Sequence, residues 1–279
     1  MDLHYIKRKA INLLALAASL LSAVFGIVFL FWILKDVLTL GMPAINASFF
    51  TELPTPAGVE GGGLANAILG TLMITVIATA IGVPAGIMAG TYLSEYGRKS
   101  RVASVVRFLA DILVSAPSIV IGVFVYALLV KPFGGFSAIA GSVALSIIML
   151  PVVIRTAEEM LKLVPDSTRE AALALGAPHW MVTVKVVYRG AIRGITTGVM
   201  LAVARVSGET APLLFTSFNN SFWNFKLTEP TATLTVTIFN YALGPYEEWH
   251  QMAWGAAFLI TALVLFVTLI SRVIVRGKA

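Results

Sequence analysis

The chain has 279 residues, of which 58% are hydrophobic and only 12% are charged, and its formal net charge is +6. Soluble domains carry about 25% charged residues, so this composition excludes an ordinary soluble domain and indicates a membrane protein. The chain contains no cysteine, which excludes disulfide bonds, thiolate metal sites and cysteine nucleophiles. The three histidines lie far apart, without the spacing of metal ligands, and we expect neither a metal nor a bound cofactor.

Six apolar segments are long enough to cross a membrane, because a hydrocarbon core of about 30 Å needs roughly 20 helical residues. In chain order the predicted spans are 11–34, 64–93, 109–130, 136–154, 194–215 and 251–273. Their continuous apolar character lacks the alternation of a membrane β-barrel, so each should be an α-helix. The first segment is too long for the apolar region of a signal peptide, and we expect it to be retained. The predicted fold is therefore an all-α membrane protein, with residues 1–279 forming one transmembrane domain.

The basic residues predict the orientation of these spans. With the N-terminus in the cytoplasm, only Lys35, Lys131 and Lys226 fall in outer segments, and Arg205 lies within a span. Every other lysine and arginine is then cytoplasmic, so the positive-inside rule places both termini in the cytoplasm. Because these residues are scattered over helix ends, we expect no nucleic-acid binding.

The second span carries a stripe of small residues. Gly82, Gly86 and Gly90 recur every four residues, which lets a neighbouring helix approach closely. Pro84 and Pro117 should bend their helices.

At the cytoplasmic start of the third span, Arg107 and Asp111 are four residues apart and should share one helix face. We expect a mutually neutralising pair near the membrane interface. A role in an inner gate is the alternative interpretation.

The inner segment 155–193 is far longer than the 2–8 residues usual between helices of a bundle, which suggests a function. Ser167 followed by Glu170 matches a capping box at the start of a helix. Gly176 should end that helix, and Pro178 should begin a second one. This helix–glycine–helix unit offers a surface that another protein can grip. The alternative is an amphipathic helix resting on lipid headgroups.

The fifth span contains Arg205 and Glu209, four residues apart and so predicted to share one helical face. Each ionisable group at bilayer depth costs about 2.5–3.5 kcal/mol on insertion scales, so such groups persist where they face protein, water or a substrate. We predict that Arg205, Ser207, Glu209 and Thr210 line a pathway for a polar solute, and the arginine favours an anion. The alternative is a self-neutralising pair with a purely structural role.

The outer segment 217–250 is rich in aromatic residues, and Thr231, Thr233, Thr235 and Thr237 alternate with apolar residues. The alternation fits a short strand, and a re-entrant helix at the interface is equally compatible. The aromatic residues fit either an interfacial belt or a docking surface for an outer partner.

Several of these segments resemble a known family. The stretch from Glu170-Ala171-Ala172 to Gly176 resembles the EAA loop of ABC importer permeases, although residues 186–189 depart from the usual continuation of that loop. The segments 60–68, 115–118, 155–161 and 204–215 resemble the PstA-type phosphate permeases in particular. The resemblance implies the MetI-like architecture of ABC importer permeases.

The same resemblance implies a function and partners. The chain would be a permease subunit of an ATP-driven importer of inorganic phosphate in the bacterial cytoplasmic (inner) membrane. Its partners would be a second related permease subunit, two cytoplasmic ATP-binding subunits and an extracytoplasmic phosphate-binding protein, with membrane lipid around them. Residues Glu170, Ala171, Ala172 and Gly176 would then couple the chain to the ATPase.

The chain itself lacks the G-x-x-x-x-G-K-[ST] pattern of a phosphate-binding loop, so we expect no ATPase site of its own and no enzymatic activity. Two alternatives remain for the function. One is an ABC permease for another oxyanion, such as sulfate, molybdate or phosphonate. The other is an anion transporter or channel that works without an ATPase.

Overall fold

The computed structural model describes residues 3–59, 61–97 and 100–276, and these parts of the chain form helices, turns and irregular segments without a β-strand. Four residues used in the sequence analysis lie outside the described residues. They are Glu60 of the segment 60–68 and the basic residues Arg98, Lys99 and Lys278.

The described helices follow one another along the chain, most of them joined by short connections. They are α1 (Leu3–Gly41), α2 (Ala47–Thr51), α3 (Ala65–Thr91), α4 (Arg101–Ser115), α5 (Ser118–Phe133), α6 (Ala138–Lys162), α7 (Asp166–Ala174), α8 (His179–Ser207), α9 (Ala211–Leu214), α10 (Leu234–Ala242) and α11 (Glu247–Arg276). A 3₁₀ turn, Met42–Ala44, follows α1. Wider π-helical turns follow α3 at Tyr92–Tyr96 and interrupt α5 at Tyr126–Val130 and α8 at Thr183–Val187.

Five of these helices, α1, α3, α6, α8 and α11, are long and apolar enough to cross a membrane. Helices α4 and α5 pass the same test together and are bent by 106° at the break between them. The described residues therefore contain five candidate spans, or six if the bent pair is one span. The predicted all-α membrane fold is confirmed.

The third predicted span, 109–130, is not one helix. Ala116 and Pro117 have extended ψ angles of 132° and 134°, so α4 ends at Ser115 and α5 begins at Ser118. A proline disfavours helical conformation in the residue before it, which explains why the helix stops at Ala116. The sequence predicted a bend at Pro117, whereas the structure has a complete break.

Two other predicted boundaries differ from the structure. Helix α6 continues to Lys162, so the charged segment 155–162 belongs to the fourth span and not to the loop. Helix α8 already begins at His179, so the connection that contains α7 runs from 163 to 178. Hydrophobicity alone ended the fourth span too early and began the fifth too late, because residues with good helix propensity extend both helices beyond their apolar segments.

The core is built on the contact between α3 and α6. A Cβ added at Gly86 would lie 2.7 Å from the side chain of Val153, and one at Gly90 would lie 2.6 Å from Cβ of Ala157. Only glycine fits at these two positions without displacing α6. The predicted close approach of a neighbouring helix is confirmed.

The segment after α9, predicted to lie outside, contains a helix and, among its described residues, no strand. Thr233 is extended, and α10 starts at the next residue. Every residue from Thr231 to Thr237 is buried, the four threonines included, so all sides of this stretch pack against protein. Helix α10 lies against α11 and α3. The strand alternative is therefore wrong.

Candidate substrate pathway and coupling loop

Arg205 and Glu209 line one cavity of about 250 Å³. The rest of the lining comes from the α4–α5 break and from the middle of α6: Leu113, Val114, Ala116, Pro117, Ser118, Ile121, Ile148, Pro151 and Val152. Within this chain the Arg205 side chain is exposed and the Glu209 side chain is half-buried. The cavity thus combines one cation and one anion with a hydroxyl and an apolar wall.

The sequence predicted that Arg205 and Glu209 share one helical face, but the two residues do not belong to the same helix. Helix α8 ends at Ser207, with Gly208 as its C-cap, and Glu209 follows the helix in an irregular turn. Glycine is a poor helix former, and Pro212 sits at the start of α9, so a continuous helix through 215 is disfavoured. The carbonyl of Glu209 accepts a hydrogen bond from the Thr235 hydroxyl at 2.9 Å, which anchors the turn to α10.

Ser207 and Thr210, the other two predicted pathway residues, do not line this cavity. The Ser207 hydroxyl donates to the carbonyl of Val203 within α8 at 2.8 Å. Thr210 is the N-cap residue of α9, and its carbonyl accepts from the N–H groups of Leu213 and Leu214. Both residues shape the turn that carries Glu209.

The break between α4 and α5 forms a wall of the cavity that sequence reasoning did not assign to the site. Ala116, Pro117 and Ser118 all face it. The signal was present in the segment 115–118, which was noted as a family resemblance, and in Pro117, which was interpreted only as a bend.

The candidate coupling loop, residues 163–178, consists of α7 followed by a glycine turn. Gly176 has φ +80°, the left-handed conformation predicted for a glycine that ends a helix. Glu170 and Ala171 are exposed on α7, and Leu175 at the turn is 89% exposed.

The predicted capping box at Ser167 and Glu170 is not formed. Pro165 is the N-cap residue of α7 and Asp166 is its first helical residue, so Ser167 lies inside the helix. An aspartate in the first turn favours the helix electrostatically without a capping box.

Arg169 of α7, which the sequence did not single out, is buried on the face of the helix that packs against the protein. Its Nε donates to Glu95 at 3.0 Å, and its Nη2 donates to Glu95 at 2.8 Å and to the Leu161 carbonyl at 2.7 Å. Its Nη1 donates to the Val164 carbonyl and to Asp166 at 3.3 Å. All five guanidinium N–H groups are therefore used.

Arg107 and Asp111 do not pair with each other. Arg107 donates from Nε to Glu158 on α6 at 2.8 Å and from Nη2 to the Leu93 carbonyl at 3.1 Å. Asp111 forms an ion pair with Arg155, also on α6. The neutralising pair predicted within one helix is wrong, because each side chain finds its partner on the neighbouring helix.

Known proteins that resemble this chain are membrane components of transport systems. Residues 82–279 match the model of the family described as binding-protein-dependent transport system inner membrane component. The chain is 50% identical to the phosphate transport system permease protein PstA of Yersinia pestis, over 97% of this chain and 92% of the relative. It is 48% identical to the PstA protein of Haemophilus influenzae, over 99% of this chain and 98% of the relative.

Two solved structures share the fold. A bacterial ABC transporter for import of the polysaccharide alginate superimposes with a TM-score of 0.68 at 12% identity, covering 99% of both chains. The inward-facing MetNI methionine ABC transporter gives a TM-score of 0.65 at 20% identity, covering 77% of this chain and 96% of that one. The MetI-like architecture expected from the resemblance is confirmed, and the chain belongs to the family of binding-protein-dependent transport system inner membrane components.

Proposed function

We propose that this chain is the permease subunit of an ATP-driven importer of inorganic phosphate. The observation that supports it best is the polar cavity containing Arg205 and Glu209, in a chain whose relatives over nearly the full length are phosphate permeases. The relatives are permease subunits, and by the same reasoning this chain supplies a translocation pathway and no ATPase site.

Arg205 suits a phosphate ion chemically. Its planar guanidinium donates two parallel hydrogen bonds to two oxygens of one oxyanion, which the single ammonium of a lysine cannot do. Conduction also requires release, so binding must be weak enough for the ion to leave. Glu209 on the same cavity lowers the attraction for a divalent anion and accepts a hydrogen bond from the hydroxyl of a protonated phosphate.

The exposure of Arg205 fits a pathway shared between two subunits. Within the isolated chain this guanidinium is not enclosed, although the eleven residues before it, 194–204, carry no charged side chain. A charged group at this depth needs a polar environment. A second, related permease subunit facing this surface would complete the pathway around Arg205 and Glu209.

Coupling to ATP hydrolysis would run through α7. In this arrangement Glu170, Ala171, Ala172 and the Gly176 turn dock on a cytoplasmic ATPase subunit, and an outer binding protein delivers phosphate to the other side. This orientation places both termini in the cytoplasm of a bacterium, consistent with the basic residues at the cytoplasmic ends of the spans.

Reconstitution tests the proposal. The chain would be co-purified with its second permease, ATPase and binding protein, and ³²P-phosphate uptake into vesicles measured with and without ATP, with sulfate and molybdate as competitors. We expect uptake to require both ATP and the ATPase subunit. Unlabelled phosphate should inhibit the uptake of labelled phosphate efficiently, whereas sulfate and molybdate should not. Uptake without the ATPase would favour a secondary transporter, and preferential uptake of another oxyanion would reassign the substrate.

A further inference from the structure

Glu95 connects the coupling loop to a helix that is distant from it in sequence. It lies in the π-helical turn Tyr92–Tyr96 at the end of α3, 74 residues before Arg169. Its carboxylate accepts two hydrogen bonds from Arg169 and one from the Ser94 hydroxyl at 2.8 Å. The Arg169 and Glu95 side chains are only 10% and 8% exposed. A buried two-point contact of this kind fixes both the distance and the angle between two helices.

The apolar packing of α7 involves mainly its neighbours in sequence. Beneath the loop, Leu161 at the end of α6 and Val164 just after it pack with Val182 and Val187 of α8, and Leu173 of α7 lies against this cluster. Ile87 of α3 also touches the cluster, so apolar packing joins α7 to α6, α8 and α3. Glu95 adds a buried charged contact between α7 and the end of α3.

Helix α3 in turn extends from the coupling loop to the candidate substrate pathway. Its 27 residues span about 40 Å, roughly the thickness of a membrane. Near its outer end the Thr71 hydroxyl accepts a hydrogen bond from the backbone N–H of Leu234, the first residue of α10, at 2.8 Å. The next residue of α10, Thr235, donates to the carbonyl of Glu209 at the cavity.

We propose that the Arg169–Glu95 pair makes α3 move with the coupling loop, and that α3 passes this movement through α10 to the turn that carries Glu209. Glu95 is then a positioning residue for transport, acting at a distance from the substrate. The proposal rests on the proposed function, since it takes α7 to dock on an ATPase and Glu209 to line the substrate pathway.

The proposal predicts a separation of two activities. Glu95→Gln keeps the size of the side chain and removes its charge, so Arg169 loses its charged partner on α3 while the apolar cluster still holds α7 on α6 and α8. The ATPase should therefore still dock and hydrolyse ATP, but the end of α3 should follow the loop less closely, because only apolar packing then joins it to α7.

The experiment measures phosphate imported per ATP hydrolysed by the complete complex in vesicles. For Glu95→Gln we expect that ratio to fall about tenfold, within the range of known coupling energies, while ATP hydrolysis stays within about twofold of the unmodified complex. Glu95→Asp, which keeps the charge on a shorter side chain, should be intermediate. Asp166→Asn is the matched control, because Asp166 contacts the same arginine from an exposed position and should leave the ratio unchanged.

A distance measurement provides a second readout that does not depend on the substrate. Because the chain has no cysteine, spin labels can be placed selectively at Met88→Cys on α3 and Ala174→Cys on α7, both exposed. With Glu95 present, we expect the same label distance in the nucleotide-free and ATP-trapped complex. In Glu95→Gln we expect the distance to change when ATP binds.

An unchanged transport ratio and unchanged distances in Glu95→Gln would overturn the proposal. A parallel loss of uptake and hydrolysis, with loss of the ATPase from the complex, would also overturn it, since the pair would then only fold the loop. If the unmodified complex imported no phosphate, the proposed function would fail, while the label distances would still test the pair.

Discussion

Asp111 on α4 pairs with Arg155 on α6, and not with Arg107, which lies one turn away on its own helix. Arg107 pairs instead with Glu158, one turn after Arg155 on α6. The two ion pairs therefore act as parallel cross-links that tie the amphipathic helix α4 to the C-terminal half of α6. The pairs differ in burial, since Glu158 is 8% exposed whereas Asp111 and Arg155 are both about half exposed.

The difference in burial predicts different mutational costs. Exposed ion pairs contribute about 0–1 kcal/mol, so Asp111→Asn should leave both stability and phosphate uptake close to normal. Arg107→Gln removes a charged partner of the buried Glu158 and should cost about 1–3 kcal/mol. Thermal unfolding of the purified chain in detergent measures both effects. Equal destabilisation by the two variants would contradict this ranking, and strong loss of uptake in Asp111→Asn alone would revive the gate interpretation.

Gly176, which follows α7, gives a prediction based on backbone conformation. A Cβ at Gly176 would meet nothing within 4 Å, so the cost of a substitution comes from φ +80° and not from a clash. For an L-residue this conformation costs about 1–2 kcal/mol, and asparagine tolerates it best. We expect uptake to decrease in the order Gly176, Asn, Ala, Val. Co-purification of the ATPase subunit should decrease in the same order.

Gly134 supplies the matched control for this series. It has φ +77° and equally open surroundings, but it lies at the end of α5, away from the loop. Gly134→Val should carry a similar conformational cost and leave ATPase co-purification unchanged. If both valine variants lost the ATPase equally, general destabilisation would explain the result and the docking role of Gly176 would be rejected.

The α3–α6 contact predicts a steric effect. In Gly86→Ala the new methyl group would lie 2.7 Å from the Val153 side chain, and overpacking of this kind typically costs about 1–3 kcal/mol. Gly86→Ala combined with Val153→Ala should recover part of that loss. Gly26→Ala on α1, where nothing lies within 4 Å, should be neutral or slightly stabilising. Thermal unfolding would contradict the packing argument if Gly86→Ala and Gly26→Ala behaved alike.

Features encoded locally were predicted correctly from the sequence. The glycine stripe and the positive φ of Gly176 depend on spacing within one helix or on one residue type next to a helix end. The break at Pro117 was recognised only as a bend, because a proline constrains its neighbour but does not specify the angle between the two helices.

Features that depend on distant partners were not predictable in this way. The spacing of Arg107 and Asp111 suggested a pair within one helix, but α6 offers both side chains better-placed partners of opposite charge. Nothing in the sequence connects Glu95 with Arg169, because no periodicity relates positions 74 residues apart. Likewise α8 ends at Ser207, so Arg205 lies in the helix and Glu209 lies after it. Both side chains nevertheless line one cavity because of the tertiary packing around them.

Glu209 should determine which anions the cavity between α4, α5, α6 and α8 accepts. Glu209 is half-buried, and its backbone is held by Thr235, so Glu209→Gln should change the charge of the site without moving the turn. We expect phosphate uptake to persist and inhibition by sulfate to increase, because the carboxylate that repels a fully ionised anion is gone. Competition assays in vesicles measure this effect. Unchanged sulfate inhibition would show that Glu209 does not act in selectivity.

Arg205 provides the stronger test of the same pathway. Arg205→Gln removes charge-assisted hydrogen bonds worth about 1.5–3 kcal/mol, so uptake should fall about ten- to hundredfold. Arg205→Lys should restore little, because an ammonium cannot donate two parallel bonds to one oxyanion. Arg272→Gln on α11, which makes the same charge change away from the cavity, should transport normally. Each variant should first be shown to assemble with the ATPase. Near-normal phosphate uptake by an assembled Arg205→Gln complex would remove Arg205 from the pathway and leave it a structural role at the end of α8.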